Sequence, residues 1–329
     1  MASASRGRSR SGARDSKSGG GSRRVSGLRP RINCAMSRLP QPQFTIRSMP
    51  PCQPLAPFIQ SFRQREGRVT TQVIRPLPAR PEQILEFYLG DRYQVRRDHT
   101  TPFEAAPQSV VVGPQCEQCT ELGLRGRLDV FTIHFQPAGC HGLFGLPMPE
   151  FLNKGVPAHD ALGEIVPLLE ERLAAVAEFS ARVEAVEAVL KPYAVRGKCD
   201  GVARAAQILL ARTGEVRIGD LATYCGLSER QFERRFQMAV GMPPKLYARV
   251  VRFYTALEKQ LRHPRQSWTE AALEAGYYDQ SHMVKEFRSL AGQSPTRFLA
   301  RLEATSERWI LLDRRECRVL TSASYTPVR

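Results

Sequence analysis

IGDLATYCGLSERQFERRFQMAVGMPPKLYARVVRF, residues 218–253, is echoed by EAALEAGYYDQSHMVKEFRSLAGQSPTRFL, residues 270–299, and the echo decides the fold. Gly226 and Gly276 stand 50 residues apart, whereas Phe236 and Phe287, Gly241 and Gly292, and Pro244 and Pro295 each stand 51 apart. The offset changes by one inside the turn, where GLSER faces GYYDQS. Each copy reads as a helix, a glycine-bearing turn and a second helix with apolar residues on one face only. That is the sequence form of a helix-turn-helix, and two in tandem make a DNA-reading module.

The geometry asks for particular residues. Small side chains at Ala222 and Ala272 let two helices cross closely, and Gly226 and Gly276 permit the sharp turn. Ser228 suits the N-cap of the first reading helix and Asp279 that of the second. Phe232 with Phe236, and Met283 with Phe287, are four apart and point inward. The helical period then puts Arg230, Gln231, Glu233 and Arg234 outward in the first copy, and Gln280, Ser281, Val284 and Lys285 in the second. Arginine pairs with guanine and glutamine with adenine, while valine packs on the thymine methyl. Arg235, Arg249, Arg288 and Arg297 are placed for phosphates, which position a protein without specifying sequence. One such segment would equally describe a helical bundle with charged outer faces; two in register favour the DNA reader.

Outward from the repeat, Val202, Ala205, Ala206, Leu209 and Leu210 give an opening helix. Pro243-Pro244 starts a long helix that ends at His263-Pro264 and separates the two units. SPTRFLARLEA closes the module. Upstream, Leu162, Ile165, Leu168, Leu169, Leu173 and Val176 repeat at three and four, as do Val183, Val186, Val189 and Leu190, giving two amphipathic helices. KPYAVRGKCDG reads as a linker after them.

Before residue 150 the text is strand-like. RVTTQVIRP, RYQVRRD, QSVVVGPQ, CTELGLRG and LDVFTIHFQP are short β-rich runs between Gly, Pro and Asp. In DVFTIHF, Val130, Thr132 and His134 face one side, and Phe131, Ile133 and Phe135 the other. These runs predict a small antiparallel sandwich or barrel with one hydrophobic interior. PEQILEFYLG fits either a strand or a short helix.

The fold class is therefore α+β multidomain: a strand-rich N-terminal domain plus an all-α C-terminal domain with two helix-turn-helix units. Its divisions are a disordered basic tail at 1–43, a strand-rich sensor or assembly domain at 54–150 and an amphipathic helical connector at 160–192. A double helix-turn-helix domain at 200–303 and a C-terminal tail at 306–329 follow. Met36 and Met49 stand as alternative translation starts.

Charge follows these divisions. The net +16 of the 329 residues is uneven. Residues 1–43 hold ten basic side chains against one acidic, 74–190 ten against sixteen, and 200–303 sixteen against eleven. A basic module beside an acidic one fits phosphate binding by the first alone. No apolar run approaches the roughly 20 residues of a membrane span, and the N-terminus lacks a signal's apolar core, so a cytoplasmic location is expected.

Eight scattered cysteines without an export signal argue for reduced thiols. Cys116, Cys119, Cys140 and His141 are weak candidates for a zinc or redox site. No Ser/His/Asp set, carboxylate pair or phosphate-cradling loop stands out. The chain is thus expected not to be an enzyme and to need no cofactor.

Residues 200–303, through the two segments quoted first, resemble the AraC/XylS-type DNA-binding domain over its whole seven-helix length. The second segment, with Gly276, Tyr277, Asp279, Gln280, Ser281, His282, Phe287, Gly292 and Pro295, is the more specific. The resemblance implies two reading helices in successive major-groove segments on one face of DNA. It assigns base contacts to Arg230, Glu233 and Arg234, and to Gln280, Ser281, Val284 and Lys285. Glu233 departs from the family's neutral polar residue; its carboxylate either accepts from cytosine N4 or pairs with Arg230. VVVGPQ, FTIHFQPAG and LFGLPMPEF resemble a variant sensor region of some of these regulators. The implied partners are double-stranded promoter DNA and a small-molecule effector, with RNA polymerase and a second copy of the chain as further candidates and no membrane. Alternatives are a cysteine-based metal or redox sensor, a methyl-accepting DNA-repair regulator with the same DNA-binding domain, and a helical adaptor that binds no DNA.

Overall fold

A sixteen-residue strand, β7 (Thr120–Phe135), organises the N-terminal half. In the computed structural model residues 44–97, 100–117 and 120–304 are described; the tails read at 1–43 and 306–329, and Cys34, Cys119 and Cys317, lie outside the described residues. On one side β7 pairs with β2 (Ile59–Leu77), which pairs with β1 (Phe44–Met49). On the other it pairs with β3 (Ile84–Tyr88), followed by β6 (Ser109–Val112) and β8 (Gly155–Pro157). A small ribbon of β4 (Gln94–Arg96) and β5 (Glu104–Ala105) joins the first third of β7. Every pairing is antiparallel.

The period of two sorts β7 as its alternation implies. Phe131, Ile133 and Phe135 join Phe62, Leu85 and Phe87 in one apolar cluster. That face is covered by α3 (Ile165–Ala175) and α4 (Phe179–Arg196), whose Leu169, Leu173, Phe179, Val183, Val186 and Leu190 are all buried. Burying each such side chain contributes about 1.5–3 kcal/mol. Val130 and His134 point to the opposite face, with Arg63, Arg65 and Arg75 of β2 and Glu86 and Tyr88 of β3. The expected single hydrophobic interior is therefore replaced by two unlike faces, one apolar and helix-covered, the other a hollow lined by both charged and apolar side chains.

The strand-rich domain read at 54–150 gains β1 before it and β8 after it. PEQILEFYLG yields a strand, β3. The connector read at 160–192 runs on to Arg196, because α4 carries Pro192 inside it. The N–H that Pro192 lacks would have bonded the Ala188 carbonyl; both residues are exposed, so that carbonyl is open to solvent.

Short helices α1 (Gly139–Phe144) and α2 (Ala158–Leu162) flank a 3-10 turn at Met148–Phe151. Seven helices then run from Gly201 to Ala304: α5 (Gly201–Ala211), α6 (Ile218–Tyr224), α7 (Glu229–Val240), α8 (Pro244–Arg262), α9 (Trp268–Glu274), α10 (Gln280–Ala291) and α11 (Pro295–Ala304). The 19 residues of α8 span about 28 Å at 1.5 Å per residue and separate α6–α7 from α9–α10.

Candidate nucleic-acid interface and effector cavity

Each helix-turn-helix is set by its caps. In the first, Gln231 N donates to Ser228 Oγ and Ser228 N donates to Gln231 Oε1, so each end of the capping box satisfies an orphan donor. Gln231 is therefore engaged at the cap. In the second, His282 N donates to Asp279 Oδ1 at 2.7 Å. Gly226 and Gly276 take φ of +65° and +78°, the left-handed turn that glycine permits. Inward, Phe232 and Phe236 are 0% exposed, and Phe287 meets Phe253, Trp268 and Phe298 edge-on.

The outward residues follow. Arg230 and Arg234 are exposed on α7, with Glu233 half-buried beside them. On α10, Gln280, Ser281 and Lys285 are exposed, while Val284 is half-buried against the small core of Ala272, Tyr277 and Met283. Gln280 Oε1 accepts from Thr269 Oγ1 at 3.0 Å, which orients its amide from the preceding helix. Gln237 and Arg288 are both exposed and lie one turn further along the same faces, four residues after Glu233 and Val284. Spacing alone puts both on the outward faces, where Gln237 had no assigned role and Arg288 was assigned to phosphate.

The four arginines assigned to phosphate are differently situated. Arg297 is exposed on α11. Arg235 turns away from Arg230 and Arg234 and lines a groove with His141, Arg196 and Lys198. Arg249 Nε donates to Glu286 Oε1 at 2.6 Å, bracing α8 against α10.

A cavity of about 490 Å³ opens on the face of the sheet away from α3 and α4, within the size range of small-molecule sites. Its wall includes Arg63, Arg65, Arg75, Arg80 and Arg97 against Glu82, Glu86 and Glu104. Arg63 and Arg75 are only 3% and 4% exposed, an expensive burial that needs anionic or hydrogen-bonding company. Arg65 Nη1 donates to Tyr93 Oη at 2.9 Å, and Tyr88 Oη donates to Glu86 Oε2 at 3.0 Å. Burial, then the Glu86 charge, pushes the Tyr88 phenol well up, and burial also raises Tyr93 despite Arg65. Both phenols stay neutral, Tyr88 donating to Glu86 and Tyr93 accepting from Arg65. Tyr254, from the middle of α8, completes the lining.

Of the metal or redox candidates, Cys116, Cys140 and His141 are described and Cys119 lies outside the described residues. Burial pushes the Cys140 thiol up to about 12, which keeps it protonated and unreactive. Cys116 Sγ accepts from Asn153 Nδ2, and His141 Nδ1 is 2.7 Å from Leu146 O. Among the described residues no three His, Cys, Asp or Glu side chains group to hold a metal ion. No described helix is long and apolar enough to cross a membrane.

Residues 221–301 match the family described as "Helix-turn-helix domain". That match covers the two helix-turn-helix units, α6–α7 and α9–α10, and marks this part of the chain as a helix-turn-helix domain. Residues 47–157, which hold most of the sheet, match a "Domain of unknown function (DUF6597)". No curated protein matches the chain. Among solved structures, ToxT from Vibrio cholerae is 11% identical, covering 79% of this chain and 98% of its own, with a TM-score of 0.41. ToxT of strain SCE256 bound to unsaturated fatty acid is 10% identical, over 79% and 96%, with a TM-score of 0.40. The AraC-like transcriptional activator CuxR is 11% identical, over 70% and 89%, with a TM-score of 0.25. At such TM-scores the likeness fixes neither fold detail nor ligand.

Proposed function

We propose that this DNA-binding regulator recognises a specific promoter sequence through α7 and α10, and that a small organic anion in the sensor cavity sets its activity. Arg230, Glu233, Arg234 and Gln237 read one major-groove segment. Gln280, Ser281, Val284, Lys285 and Arg288 read the next, with Arg297 on phosphate. The observation that carries the coupling is Tyr254: the helix joining the two reading units also lines the effector cavity. Five arginines against three glutamates favour an anionic head, and Leu77, Ile84, Val110 and Leu124 favour an apolar body. Its work is recognition, not catalysis. RNA polymerase and a second copy of the chain are its further partners.

The test uses the full-length protein with oleate and benzoate as probe anions. At least one should raise the melting temperature and change affinity for selected duplex, and Arg75→Ala should remove both effects. Binding of selected duplex untouched by either anion, with no thermal shift, would sink the anionic-effector reading and leave DNA recognition standing.

A further inference from the structure

One short segment of the sensor domain grips the two reading helices at the same place. The connector from β2 to β3, Pro78 to Gln83, crosses the C-terminal ends of both α7 and α10. Ala79 N donates to Leu290 O at 3.0 Å. Gln83 Nε2 donates to Val240 O at 3.1 Å and to Ala239 O at 3.4 Å. Ala239 and Leu290 are 51 residues apart, so they are equivalent positions of the two copies. The last carbonyls of a helix lack partners within it, and here one strap caps both ends.

The strap is built to be stiff. Pro78 and Pro81 fix their own φ and hold the residues before them extended. Arg80 exchanges two 2.8 Å backbone bonds with Gln115. Ala79 is fully buried in the core of the DNA-binding module, and Gln83 is 2% exposed. Four residues of extended chain reach only about 13 Å, which limits how far the two helix ends can separate. Beside the strap, Glu121 of β7 holds α11 through Arg301 at 2.6 Å, a second grip on the C-terminal unit. Pro78, Arg80 and Glu82 face the cavity, so the gripping positions alternate with positions an effector would touch.

We infer that the strap, with Gln83 and Ala79 as positioning residues, sets the separation and angle of the two reading helices and so selects the spacing between half-sites. The inference rests on the reading that α7 and α10 both engage DNA. It places a determinant of DNA specificity in the sensor domain, away from any base contact.

The experiment offers the full chain a set of duplexes carrying both selected half-sites with spacers of different length. The wild type should prefer one spacer. Gln83→Met, which keeps volume and removes the donor, and Arg301→Gln, which releases the second grip, should each cut that preference by about tenfold. Binding to a single half-site should stay at the wild-type level, which general destabilisation would not spare. If Gln83→Met loses cooperative melting, Arg301→Gln decides alone. Folded variants with the wild-type spacer preference overturn the strap's role and leave two-helix reading intact. A wild type indifferent to spacer overturns both.

Discussion

Arg234 and Gln280 reach the surface by different routes, and the difference forecasts how each responds to change. Arg234 is exposed on the free face of α7, whereas Gln280 begins α10 and is oriented by Thr269. Arg234→Ala and Gln280→Ala should each relax discrimination at one base position, at about 1–3 kcal/mol, in competition assays on singly substituted duplexes. Equal losses on target and random DNA would contradict the assignment. Arg249 behaves otherwise, since its partner Glu286 is buried. Arg249→Ala should weaken binding to every duplex and cost about 1–3 kcal/mol of stability in urea unfolding, because Glu286 is left without its donor. An unchanged urea midpoint would show that the brace contributes nothing.

At the scale of elements, caps and cores set the two helix-turn-helix units unequally. Phe287 touches three aromatic rings and is fully buried, while Asp279 caps α10 at the surface. Phe287→Ala should therefore cost about 3–5 kcal/mol and Asp279→Ala about 1 kcal/mol in the same unfolding assay. A reversed order would place the unit's stability in the cap. These elements were legible in sequence because glycine, proline and aromatic positions recur at fixed spacing and each answers a local geometric demand. The sheet was less so. β3 is buried on both faces, so ILEFY shows no alternation, and the opening of β2 hides buried Arg63 behind a polar text. β1 lies between the tail and the strand-rich runs, where a six-residue strand carries little signal of its own. Pro192 marked a break that the exposed side of α4 absorbs.

Over the whole molecule, the proposed functions rest on contacts between segments far apart in sequence. The cavity gathers arginines from β2, the strap and the segment after β4, and Tyr254 from α8, while Gln83 and Val240 meet across 157 positions. Pairing at that range leaves no local pattern, which is why neither cavity nor strap could be read from the chain alone. The charge split could be, since a basic module beside an acidic one shows in composition.

The central claim is that one chain reads DNA with both α7 and α10 from a single face. A hydroxyl-radical footprint of the full-length protein on its selected duplex tests it most directly. The account predicts two protected patches on the same face, about one helical turn or 10–10.5 base pairs apart, with Arg234→Ala thinning one and Lys285→Ala the other. A single patch that both substitutions weaken alike would contradict it.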